Sequence, residues 1–122
     1  MKQQFGQESE QVVVNYLKNQ KFYILARNFQ KFFGEIDIIA SKDDMLVFVE
    51  VKARKNSKVS LHNLVPYAKQ QKIIKVARSF IVEHVRLADN KVLRFDVALL
   101  HLKDGEQPEL AYIENAFCSK NY

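Results

Sequence analysis

The sequence predicts an α/β domain in which helices surround a mixed central sheet. Segments with helical apolar spacing alternate with short β-branched and aromatic runs, in the order α-β-β-β-α-β-β. Three Gly and two Pro in 122 residues exclude collagen-like, linker-like and disordered classes. The chain, 1–122, is of a length for one domain with one core.

The first helix is read from Ser9 to about Asn19, where Val12, Val13, Tyr16 and Leu17 recur at helical spacing and Val14 falls off the stripe. Phe22–Ala26 is a short strand. After Phe32, Phe33 and Gly34, a second strand runs over Glu35–Ala40, and Lys42-Asp43-Asp44 is a polar turn. Met45–Lys52 is the strongest strand, apolar on both faces. A polar loop over 56–63 leads past Pro66 into a long helix. Its apolar set is Ile73, Val76, Ala77, Phe80, Ile81 and His84/Val85, with Lys69, Lys72, Lys75, Arg78 and Arg86 at polar positions. Val92–Leu100 is a fourth strand and Leu110–Ile113 a short fifth.

Carboxylates inside otherwise apolar strands are the informative feature. Alternation puts Phe48, Glu50 and Lys52 on one face of the third strand, and Glu35, Asp37 and Ile39 on one face of the second. Antiparallel pairing about the 41–44 turn brings Asp37 beside Glu50. Two converging carboxylates need a divalent cation or a lysine to offset their charge. Hard Mg²⁺ suits them, taking oxygen ligands and keeping waters that phosphate oxygens displace. Lys52 would then lie beside the metal, placed to stabilise phosphoryl charge or orient the attacking water. Glu10, on the first helix, can add a carboxylate. The alternative is an ordinary solvent-facing Glu-x-Lys pair. Asp96 either pairs with Arg94 or supports the site; the pairing is the preferred reading.

Other chemistries are poorly served. His62, His84 and His101 lie far apart with no Cys at zinc spacing, and three glycines cannot build a P-loop or a dinucleotide turn. Cys118 has no intramolecular disulfide partner, no apolar run is long enough for a membrane span, and the first residues lack a signal-peptide core. The expected location is the cytoplasm. The net charge of +5 is uneven: residues 50–94 hold eleven basic groups against three acidic ones. Such a segment suits a nucleic-acid partner or is simply a solvated lysine-rich surface. Arg54, Lys55 and Lys58 after the third strand, with Lys72 on the long helix, are its candidate phosphate contacts.

Gly34-Glu35-Ile36-Asp37-Ile38-Ile39-Ala40 followed by Val47-Phe48-Val49-Glu50-Val51-Lys52-Ala53-Arg54 resembles the signature of the YraN-like family of small bacterial proteins. The likeness extends through Tyr16-Leu17, Ala26-Arg27-Asn28, Lys69-Gln70, Arg94-Phe95-Asp96-Val97 and Ile113–Phe117. Ser9, where the family usually has Gly, is a departure. That family is placed in the PD-(D/E)XK nuclease-like superfamily, with a restriction-endonuclease-like αβββαβ core, and is similar to archaeal Holliday-junction resolvases. The resemblance implies Mg²⁺ or Mn²⁺ on Asp37, Glu50 and the Val51 carbonyl, with Lys52 and Glu10 completing the catalytic set. It also puts Lys69 and Gln70 near the scissile phosphate and implies a homodimer. The expectation is a metal-dependent endonuclease acting on DNA, branched DNA included. A non-catalytic nucleic-acid binder of the same fold and an adaptor that docks an acidic protein are the alternatives.

Overall fold

The computed structural model describes residues 2–55 and 60–118. Among these residues nine elements follow one another: α1 (Lys2–Asn19), β1 (Tyr23–Lys31), β2 (Gly34–Lys42), β3 (Met45–Arg54), α2 (Leu61–Leu64), α3 (Tyr67–Glu83), α4 (Val85–Ala88), β4 (Val92–His101) and β5 (Glu109–Phe117). The strands form one sheet in sequence order, antiparallel except for the parallel β3–β4 pair. The expected α/β class with a mixed sheet between helices is therefore observed.

Alternation in β3 sets the layers. Leu46 and Phe48 join a core beneath α3, with Ile73, Ile74, Val76, Ala77 and Phe80. Val47 and Val49 join a second core beneath α1, with Val13, Val14 and Leu17. Val14, expected off the stripe, is 2% exposed. The true buried ridge of α1 is Val13, Val14 and Leu17, with spacings of three and four that meet on one face. The helix also starts earlier than expected, at Lys2, and closes where Phe22 N–H donates to the Leu17 carbonyl at 2.9 Å and Lys21 turns left-handed.

The long helix is shorter than its apolar pattern predicts. It ends at Glu83, so His84 caps it, Arg86 lies on α4, and Val85 is 62% exposed. Pro66 lies at the start of the helix as expected, as the residue immediately before Tyr67. The edge strands are longer than expected, because polar residues continue them beyond their apolar runs: Arg27, Asn28 and Gln30 in β1, Glu114 and Asn115 in β5. Each polar stretch contains an Asn in the left-handed region, at φ 52° for both Asn28 and Asn115, where Asn is tolerated.

The hairpin tip between β1 and β2 lies close against α3. A Cβ on Gly34 would come 3.2 Å from Val76 Cγ2 and 3.7 Å from Lys72 Cβ, so only glycine allows this approach without displacement. The β2–β3 hairpin closes at Lys42↔Met45 through Asp43, itself left-handed. Val92 N–H donates to the Asp44 carbonyl and Lys91 Nζ to the Asp43 carbonyl, tying the start of β4 to that turn. This fixes the parallel register that carries the far ends of β3 and β4 to the same edge of the sheet.

Candidate functional site

The β2–β3 ladder runs from Lys42↔Met45 to Ile38↔Val49 and then opens. One step further, Asp37 faces Glu50, as the sequence pairing predicted. There the backbone bond is replaced: the Val51 N–H, directed toward β2, donates to Asp37 Oδ2 at 2.7 Å. Across from Asp37 in β1 is the left-handed Asn28, and Ile36 turns into the α3 core beside Ile39. The strict alternation expected over Glu35–Ile39 therefore breaks at Ile36, which sets the position of Asp37.

Glu50 is 6% exposed, and its Oε2 is buried without a hydrogen bond. Lys69 Nζ, from α3, lies 3.8 Å from that oxygen. Burial first, and then Asp37, hold a proton on Glu50, whose pKa is pushed up to about 8 against the pull of Lys69 and Lys52. From α1 comes Glu10, whose Oε1 is likewise buried without a hydrogen bond and lies 3.8 Å from Arg27 Nη2. Burial and the charge of Asp37 raise its pKa, against Asn28 and Arg27. Arg27 is itself steadied by Gln11 Oε1 at 3.1 Å.

Glu10, Asp37, Val51, Lys52 and Arg54 line one cleft of about 510 Å³; the buried Glu50, which precedes Val51 in β3, is not among its lining residues. The end of β3 is pinned there by Leu102 N–H on the Arg54 carbonyl, and by His101 Nε2–H on the Lys55 carbonyl at 2.9 Å. The structure thus brings together Glu10, Asp37, Glu50, Val51, Lys52, Arg54 and Lys69. Lys55 and Lys72 are exposed beside the cleft and on α3, respectively. Gln70 has a structural bond, Nε2 donating to the Val65 carbonyl at 2.9 Å. Lys58 lies outside the described residues. Sequence reasoning missed Arg27 and Asn28 as supports of Glu10; the Asn in an otherwise strand-like run was the available signal.

Asp96 is fully buried and is not among the residues that line this cleft. It takes Arg94 Nε and Nη2 at 2.9 and 2.8 Å, the Tyr112 hydroxyl at 2.6 Å and the Asn115 N–H at 2.9 Å. The pairing reading of Asp96 is the observed one.

The Glu50 proton gives a stability signature. Unfolded Glu releases its proton near 4.5, whereas the folded chain holds it to about 8. Between those values the folded state binds more protons, so rising pH destabilises the metal-free protein, by up to about 1.4 kcal/mol per pH unit. Urea midpoints measured in EDTA should fall across that window for wild type and fall less for Glu50→Gln, which keeps the raised Glu10. Parallel curves would remove Glu50 as the source.

A family model for the uncharacterised protein family UPF0102 matches residues 9–100, a span that holds every carboxylate and lysine of the cleft. The chain belongs to UPF0102. This bears out the YraN-like family resemblance. A UPF0102 protein of Dictyoglomus turgidum is 38% identical over 117 residues, covering 93% of this chain and 97% of its own. One from Clostridium beijerinckii is 40% identical over 114 residues, 92% and 91% of the two chains. One from Legionella pneumophila is 35% identical over 119 residues, 96% and 97%. The chain thus spans nearly the whole length of these UPF0102 relatives. Among the described residues of this UPF0102 member, no helix is long and apolar enough to cross a membrane.

Proposed function

We propose that the protein is a divalent-metal-dependent phosphodiesterase acting on DNA, built on a PD-(D/E)XK-like site and working in the cytoplasm. The observation that carries this is the buried Glu50, held against Asp37 with Oε2 left without a hydrogen bond. Ionising Glu50 in this buried place costs several kcal/mol unless a cation offsets the charge, and a bound cation would take the place of its proton. Among the described residues, no three His, Cys, Asp or Glu side chains converge as a ready-made metal cage. A carboxylate pair is instead the donor set of Mg²⁺ or Mn²⁺, which keeps waters and shares phosphate oxygens. Asp37 and Glu50 would hold the ion, with the Val51 carbonyl as a further oxygen donor. When bound, it would supply positive charge to the phosphoryl oxygens and acidify the attacking water.

The chain's own residues do the rest. Lys52, in the cleft wall, stabilises charge that grows on the phosphate in the transition state. Glu10 takes up or orients a proton from the attacking water. Arg54, Lys55 and Lys72 hold neighbouring phosphates without reading bases, and a homodimer would present two such clefts to two strands.

One observation favours a second reading, a non-catalytic nucleic-acid binder: Lys69 already places a cation 3.8 Å from Glu50 Oε2. Calorimetric titration with Mn²⁺ separates the two. Metal-dependent hydrolysis requires binding heat with wild type and none with Glu50→Ala; no heat with either protein would leave the binding reading.

A further inference from the structure

The most exposed large apolar side chain among the described residues is Phe32, at 99%. It stands at the tip of the β1–β2 hairpin, and the tip is not loose. Phe33 packs against the α3 core, Gly34 approaches Val76 and Lys72, and Phe32 meets the Phe33 ring edge to face at 4.9 Å between centroids. An aromatic ring held out into water by a braced turn has no role in this chain's own core.

Its surroundings are cationic. Lys75 Nζ lies over the Phe33 ring, 4.6 Å from its centroid. Lys69, Lys72 and Lys75 are spaced by three on α3 and form one row along the helix. The row begins at Glu50, with Lys69, and ends at the aromatic tip, with Lys75. At 1.5 Å per residue it is about 9 Å long, roughly two to three steps of a nucleic-acid strand. The nearby acids are occupied: Glu83 pairs with Lys31, and Glu35 accepts from Gln30 Nε2 at 3.1 Å.

We propose that Phe32 is a base-stacking wedge. It receives an unpaired base of a DNA strand whose phosphates lie along Lys72 and Lys75, two to three nucleotides from the Asp37–Glu50 cleft. Every base offers a π face, so such a contact selects unstacked bases without selecting sequence. A second copy of the chain is the competing occupant. A twofold contact centred on Phe32 would set the lysine row against its own symmetry mate, whereas a polyanionic strand complements it. The proposal rests on the nucleic-acid part of the function proposed above and not on catalysis.

The test is binding in EDTA, at low ionic strength, to a duplex and to the same duplex with one unpaired 2-aminopurine. Wild type should bind the second DNA roughly tenfold more tightly, with a change in 2-aminopurine fluorescence. Phe32→Ala should lose the preference and the fluorescence change while binding the intact duplex as wild type does. Phe32→Trp should keep both. Phe32 is on the surface, so an unchanged thermal midpoint should accompany Phe32→Ala. A preference that survives in Phe32→Ala, or is absent in wild type, overturns the wedge and leaves nucleic-acid binding standing. Wild type that binds neither DNA overturns both. A wild-type dimer that Phe32→Ala splits in sedimentation assigns the ring to a second copy and overturns the wedge.

Discussion

Lys52→Ala should retain Mn²⁺ binding and lose cleavage of DNA by about 10²–10³-fold, whereas Asp37→Asn should lose both. The two variants separate two roles that lie side by side in one cleft. Lys52 is a cation of the cleft wall, shared with Asp37, and the buried Glu50 neighbours Asp37. Removing Lys52 leaves both carboxylates proposed to hold the metal in place and withdraws one positive charge from the phosphate. Asp37→Asn keeps an oxygen to accept the Val51 N–H, so the strands stay in register while the charge is lost. Single-turnover cleavage under saturating Mn²⁺, read beside calorimetry of the same preparations, checks the split. Full activity in Lys52→Ala would sink the assignment of that residue, and metal binding by Asp37→Asn would sink the carboxylate pair.

Asp96→Ala should lower stability by about 3–5 kcal/mol, a fall in Tm of more than about 10 °C. The carboxylate is the hub of four donors: two N–H groups of Arg94, the Tyr112 hydroxyl and the Asn115 N–H. Truncation strands the Arg94 guanidinium, which is largely buried, and leaves the β5 irregularity at Asn115 without its acceptor. Burial, and then Asp96, push the Tyr112 phenol far up, so it remains a donor throughout the working range. Asp96→Asn keeps the shape and should fall between the two. Because Asp96 is not among the residues lining the cleft, Asp96→Asn held below its transition should still take up Mn²⁺. An Asp96→Ala protein that melts with wild type would refute the structural role, and an Asp96→Asn protein that folds but binds no metal would return the residue to the site.

The site was legible in the sequence where period-2 alternation and a tight hairpin fix geometry. Glu50 and Lys52 share a face because β3 is regular, and Asp37 meets Glu50 because Lys42↔Met45 closes a two-residue turn. What alternation could not give was the break at Ile36–Asp37, which depends on a left-handed Asn28 in the neighbouring strand. Nor could it give the contact of Lys69 with Glu50, which is set by how α3 lies across the sheet. The element boundaries failed for local reasons. His84 and Val85 continue the apolar period of α3, yet the chain leaves the helix there. The polar halves of β1 and β5 carry no apolar run because edge strands meet water on one side, and such polarity also protects an edge from pairing with other chains.

The opening between β2 and β3 creates a third margin of strand, inside the sheet, where Val51 would otherwise present a bare amide. An interior margin of this kind invites capture of any passing strand, including one from a partly unfolded neighbour. The Asp37 carboxylate closes it by occupying the amide itself. The carboxylate that accepts the Val51 N–H therefore withholds that amide from other polypeptide, and the protein gains an indentation in its sheet without gaining an adhesive seam.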